Sequence, residues 1–431
     1  MTGSDRFARV DRDILAAMGR PGRLYWAALG FAACLVGIGF LLWFHQFERG
    51  LGVSGLMHPV GWAVYITNFV FWVGIAHSGT LISAVLYLFR AGYRSSFNRP
   101  AEAMTIFAIM VAGLFPLVHL GRVWVFYYLF PYPTQRQIWV NFRSPLIWDV
   151  FAVGTYFTVS LIFFYVGLIP DFAVARRFAG GIRKRIYSFL SLGWMGTRRE
   201  WRHYGALYLF LAAFATPLVA SVHSVVSWDF AMSILPGWHT TIFAPYFVAG
   251  AIFSGTAMVI TLVVPMRRVL ALGTYITDDH IEKIARILLF TSLIVTYSYI
   301  VETGLSRYGG NPFEKEAFRY RAFGDYAVLF WIMILCNSVI PLTLLVGKLR
   351  RNIAYLFVVS LFVNVGMWLE RFVIIVTSLA RDFDPYAWGP FHISLVEVGI
   401  TAGSFGLFFL LYLIFLKTMP VLSISEIKEH L

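Results

Sequence analysis

Apolar residues run along this chain in ten long stretches, each ended by a short polar segment. A bilayer core is crossed by ~20 apolar residues of helix. The stretches that meet this cover residues 24–44, 60–89, 101–129, 145–169, 204–226, 242–264, 285–306, 326–347, 353–379 and 398–417. Between them stand residues that break helices: Pro100, Pro131-Tyr132-Pro133, Pro170-Asp171, Pro236-Gly237 and Asn311-Pro312. The pattern predicts an all-α polytopic membrane protein of about ten transmembrane helices, with no soluble domain.

Two of the stretches share a motif. The second holds His77-Ser78-Gly79-Thr80 and the sixth Phe253-Ser254-Gly255-Thr256, at similar depth and in the same direction. The expected organisation is therefore a tail (1–23), a flanking helix (24–44), a four-helix bundle (60–226), a second such bundle (242–379), and a last helix with its tail (398–431). The bundles, spans two to five and six to nine, are expected to be parallel repeats. The competing reading is that small residues simply recur where transmembrane helices pack.

Composition agrees with lipid as solvent. Of 431 residues 59% are hydrophobic and 13% charged, about half the charged share of a soluble domain; the mean hydropathy is +0.72. The net charge of +13 does not point to nucleic acid, because the basic residues lie in short loops between apolar runs. Assigned to alternate sides, Lys and Arg divide roughly 25 to 10, which by the positive-inside rule puts both termini in the cytoplasm; the resemblance described below implies a bacterial inner membrane. The segment Met1 to Arg23 is polar and lacks the features of a cleaved signal, so the first helix is expected to be retained. Cys34 and Cys336 are isolated and no C-x-x-C occurs. No intrinsic iron–sulfur cluster, covalent haem or metal site is expected.

Ionisable groups at bilayer depth cost about 2.5–3.5 kcal/mol or more, so each is a functional candidate. His119 and Arg122 end the third span, Asp149 opens the fourth and His223 ends the fifth, with Asp229 and His239 in the loop that follows. All fall toward the extracytoplasmic face. A histidine and a carboxylate beside a shallow membrane pocket suit quinol oxidation, because each hydroxyl needs a base as its electron leaves. Blander readings stand beside this one: His119 as a helix-end cap, Asp149 as a first-turn acid satisfying the helix dipole, and Arg122 as a headgroup anchor. His77, with Ser78 and Thr80, lies mid-membrane and suits a proton path or internal hydrogen bonding. Glu302 lies in the seventh span, and Glu370-Arg371 in the ninth is either a structural ion pair or part of a proton route. Glu102 reads as a helix N-terminal acid.

Haem b needs two imidazoles at one depth on facing helices. His119 and His223 meet this only roughly and His77 has no evident partner, so no haem is expected. Trp124, Tyr127, Tyr128, Tyr132 and Trp139 read mainly as an interfacial belt.

The stretches Asn68 to Thr80, Phe115 to Arg122 and Asn141 to Asp149 resemble the NrfD/polysulfide-reductase-type membrane subunits. Ala215 to Ser227, Pro236 to Thr241 and Tyr246 to Gly255 look, more closely, like the ActC subunit of bacterial alternative complex III. The resemblance implies a subunit without its own redox cofactor that binds menaquinol near the periplasmic face. It implies as partners an iron–sulfur subunit, multihaem cytochrome c subunits and a second NrfD-like membrane subunit. It associates the positions of His119 and Asp149 with the quinol site, and it implies a proton path for which His77, Ser78, Glu302 and Glu370 are the candidates. Two other functions compete. One keeps the fold as a quinone-reactive anchor of a molybdopterin-containing reductase such as polysulfide reductase. The other is a secondary transporter built on parallel repeats, which usually breaks helices at the midplane; here Pro217 and Pro245 are expected nearer helix ends.

Overall fold

The computed structural model describes residues 3–131 and 142–429. Tyr132, Trp139 and Asn141 lie outside the described residues. Fourteen helices organise the described chain: α1 (Gly3–Ala16), α2 (Arg23–Arg49), α3 (Val64–Leu88), α4 (Asn98–His119), α5 (Pro145–Phe178), α6 (Gly181–Leu190), α7 (Arg198–Ala231), α8 (Phe243–Val269), α9 (Asp278–Tyr308), α10 (Pro312–Phe323), α11 (Ala327–Leu345), α12 (Ile353–Leu379), α13 (Leu395–Thr418) and α14 (Ile424–Glu429). Ten of them, α2–α5, α7–α9 and α11–α13, are long and apolar enough to cross a membrane, as the apolar pattern predicts.

Local chemistry explains where several begin. Thr197 and Glu200 form a capping box at the start of α7, and Ser394 and Glu397 form another at the start of α13. Helix α7 then runs for 34 residues, ~50 Å, well past a bilayer core of ~30 Å. Two expectations change as a result. Asp229 belongs to this helix and not to a loop, and His223 lies two turns inside it and does not end it. Pro217 is likewise well inside α7, which continues unbroken through it.

The break expected at Pro170-Asp171 is also absent, because α5 continues to Phe178. Pro170 leaves the Val166 carbonyl without its helix donor; one residue on, the buried Arg99 guanidinium donates to the Gly167 carbonyl. Helix α4 does bend. Its regular hydrogen bonding lapses at Gly113, three residues before Pro116, and resumes as a short turn that ends in His119.

Helices α3, α4, α5 and α7 pack each on the next around a closed ring, and α8, α9, α11 and α12 do the same. The rings meet where α3 touches α8 and α12 and where α7 touches α8. At the centre Ser78 packs directly on Gly255, and its hydroxyl donates to the Ile252 carbonyl (3.3 Å). Ser78 thus serves helix contact across the two rings, since any side chain at 255 would occupy its place. Helix α13 leans on the first ring through Trp72 Nε1 to Ser404 Oγ (3.2 Å) and carries α2 outside it, backbone to backbone at Gly39 and Gly403.

The two terminal segments are not free tails. Val10 and Ile14 of α1 are buried, α1 packs on α14, and Lys428 pairs with Asp11 at 2.6 Å. Residues Val421 to Ile424 are fully buried beneath the first ring.

Candidate functional site

The interruption in α4 and the left-handed Gly121 (φ 66°), whose Cα faces the Leu51 side chain, place His119 at the end of α4 remote from Arg99. Its Nδ1 is buried and has no hydrogen-bond partner. Arg122 is exposed just beyond. Beside the turn that carries His119, an apolar slot of about 120 Å³ runs between α2, α4 and α13, lined by Leu114, Phe115, Val118 and Trp43 among others.

Asp149 lies in the first turns of α5, only 7% exposed. Its acidic neighbour is Asp229 of α7, and the two carboxyls lie close enough to interact. Oδ1 of each is buried without a hydrogen-bond partner. Trp148 and Trp228, the residues just before each aspartate, meet edge to face at 6.0 Å. Sequence reading misses this pair by ending the helix early, although the break at Pro236-Gly237 already allows it to continue. Asp149 is thus buried near the start of α5 beside a second acid.

His223 does not join that group. It sits about 9 Å deeper than Asp229 along α7, fully buried, with neither ring nitrogen hydrogen-bonded. It meets His77 edge to face at 4.8 Å and 62°, so His77 does have a partner, contrary to expectation. Rings in direct contact leave no gap for a porphyrin, and this pair does not fit a bis-histidine haem. His77 also stacks on Tyr156 (4.5 Å, 11°) and its Nδ1 lies 2.5 Å from the Val73 carbonyl. Tyr156 donates to Thr80 Oγ1 (2.9 Å), which is 3.3 Å from Ser160 Oγ.

Polar groups continue toward both faces. Toward the second ring, Arg371 neighbours His223 electrostatically and covers the Phe247 ring at 4.7 Å. It pairs with Glu370, which also accepts from Tyr299; Asn337 donates to the Tyr299 oxygen at 2.9 Å. Asn337 is presented by a π-helical turn, Leu335–Val339, a local feature that often marks a functional position. Above them Glu302 pairs with Arg321 at 2.9 Å, and Arg321 is held by Thr377 and Ser378 at 2.8 and 2.7 Å. Glu302 reaches a cavity of about 620 Å³, which Trp228, His239, Ser306 and Glu314 also line.

Toward the other face, Arg99 is fully buried between Glu102 (2.9 Å) and Asp171 (3.0 Å). Tyr208 donates to Glu102 at 3.0 Å, and Arg94 pairs with Glu426 of α14 at 2.6 Å. Glu102 is therefore a member of a buried ion cluster and not a helix-start acid. Arg94 and Arg99 face inward, where the charge count treats them as loop signals.

Comparison with known proteins fits this architecture. The chain is 26% identical to a putative dimethyl sulfoxide reductase membrane subunit of Halobacterium salinarum, over 98% of this chain and 96% of that protein. It is 22% identical to a selenate reductase subunit of Mesobacillus selenatarsenatis, over 93% of this chain and 94% of that one. A Hdr-like menaquinol oxidoreductase integral membrane subunit of Archaeoglobus fulgidus is 22% identical over 37% of this chain and 38% of its own. The family described as polysulphide reductase, NrfD, matches residues 52–381, and the chain belongs to that family of integral membrane proteins.

Proposed function

We propose that this chain is the quinol-oxidising membrane subunit of a multisubunit redox complex, with menaquinol bound at the extracytoplasmic end of α4, α5 and α7. The observation that carries the reading is the set of buried, unpartnered atoms there: His119 Nδ1, Asp149 Oδ1 and Asp229 Oδ1. Buried polar atoms are normally satisfied, and a quinol hydroxyl is a donor of the right kind for each. Oxidation releases two protons and two electrons. His119 and the Asp149–Asp229 pair take the protons, Arg122 shapes the mouth, and the electrons pass to an iron–sulfur subunit docked on that face. The apolar slot beside His119 suits an isoprenoid tail.

His77, His223, Glu370 and Glu302 form the core of a buried polar row, which we read as a proton route through both rings. Ser78 contributes to it as the contact that holds the rings together. In this reading the rings are parallel repeats and both termini lie in the cytoplasm of a bacterial cell.

The long motifs of the fifth and sixth spans support an alternative complex III assembly, with multihaem cytochrome c and a second NrfD-like membrane subunit. The names of the reductase relatives favour a second reading, the membrane anchor of a molybdopterin-containing reductase. Purification of the complex from its native membrane decides between them. The first assembly predicts c-type haem absorbance and no molybdenum. Bound molybdenum without c-type haem establishes the second.

A further inference from the structure

A cleft of about 700 Å³ opens at the end of α8 opposite the quinol face, lined by Val264, Arg267, Arg268, Ala271, Gly273, Thr274, Ile353 and Ala354. Its two ends differ in chemistry. Val264 lies one turn deeper in α8 than the arginines, and with Ile353 and Ala354 at the start of α12 it makes an apolar wall on the bilayer side. Arg267 and Arg268 stand in the last turn of α8, at headgroup depth for a helix that spans the core. Arg267 is oriented by Asp278 at 2.5 Å and lies against Gly273, with its side chain 19% exposed. Arg268 is exposed and has no carboxylate partner among the described residues. Two arginines against one aspartate leave the rim positive. The first-turn N–H groups of Ile353 and Ala354 face no helical acceptor.

We infer that this cleft is a binding site for an anionic glycerophospholipid. Its phosphate lies between Arg267 and Arg268, and an acyl chain follows Val264 and Ile353 into the bilayer. Charge complementarity selects the anion, and the apolar wall selects a lipid over a soluble phosphate; basic pockets between membrane helices commonly hold such headgroups.

The test uses the purified complex, washed in detergent and then incubated with dioleoylphosphatidylglycerol or dioleoylphosphatidylcholine, with retained lipid counted by mass spectrometry. Phosphatidylglycerol is expected to be retained over phosphatidylcholine. Arg268→Gln is expected to weaken that retention about fivefold, the worth of one cationic side chain at an anionic surface, and the Arg267→Gln/Arg268→Gln double variant about 25-fold. Arg268→Lys is expected to keep most of it. Because Arg268 is exposed, its substitution does not threaten folding. Equal retention by wild type and Arg268→Gln overturns the assignment. Competition by glycerol 3-phosphate at concentrations equal to the lipid also overturns it, by making a soluble anion the ligand.

Discussion

Asp149→Asn is expected to lower menaquinol oxidation by the assembled complex ~100-fold or more, the usual contribution of a positioned acid–base group. Asparagine matches aspartate in shape and keeps an acceptor oxygen toward the bound molecule. It cannot take a proton, and it leaves Asp229 as the one acidic group of the two that lie side by side. Asp229→Asn is expected to show a similar loss, since either substitution removes one of the two neighbouring acids. A structural role predicts the opposite, because the isostere preserves packing and leaves turnover near wild type. Initial rates with a soluble menaquinol analogue, normalised to intact complex, separate the two.

The second large effect concerns stability. Arg99→Met is expected to destabilise the protein by about 3–5 kcal/mol, because it strips the cation from a buried ion cluster. Arg99 is fully buried and holds Glu102 and Asp171 at 2.9 and 3.0 Å, while Asp171 also accepts from Ser425 at 3.3 Å. The loss therefore extends to the docking of the C-terminal segment. Thermal unfolding in detergent is expected to show a lower midpoint for Arg99→Met and little change for Arg177→Met at the end of α5. Replacing Asp171 together with Arg99 by apolar residues is expected to recover part of the loss, since a removed pair leaves fewer uncompensated charges. An unaltered midpoint for Arg99→Met would contradict the cluster's structural role.

Most of the architecture is legible in the sequence because lipid makes apolarity nearly synonymous with span. The ninth span, 353–379, has in the structure the same ends the sequence suggests. Errors concentrate where polar residues continue a helix. Arg198 to Arg202 lie inside α7 because Thr197 and Glu200 cap it, and Asp229 extends the other end, so a hydropathy reading cuts the helix at both ends. Proline misleads in the same way at Pro170, where α5 continues through the residue to Phe178.

The site is legible in depth and not in rotation. His119 and Asp149 can be placed near one face from their positions in the chain. Spacing along separate helices carries no information about which side chains meet, so the Asp149–Asp229 pair and the His77–His223 contact appear only when the helices are packed. Arg99 and Arg94 show the same limit for charge. Counted as loop residues they support an orientation, yet each faces a buried carboxylate.

Quinol oxidation at the extracytoplasmic end of α4 is tested most directly by menaquinol oxidation in the purified complex carrying His119→Ala, with the full set of subunits verified on the same sample. A large fall in rate in an intact complex is the predicted result. An unchanged rate would make His119 structural and move the quinol site away from α4.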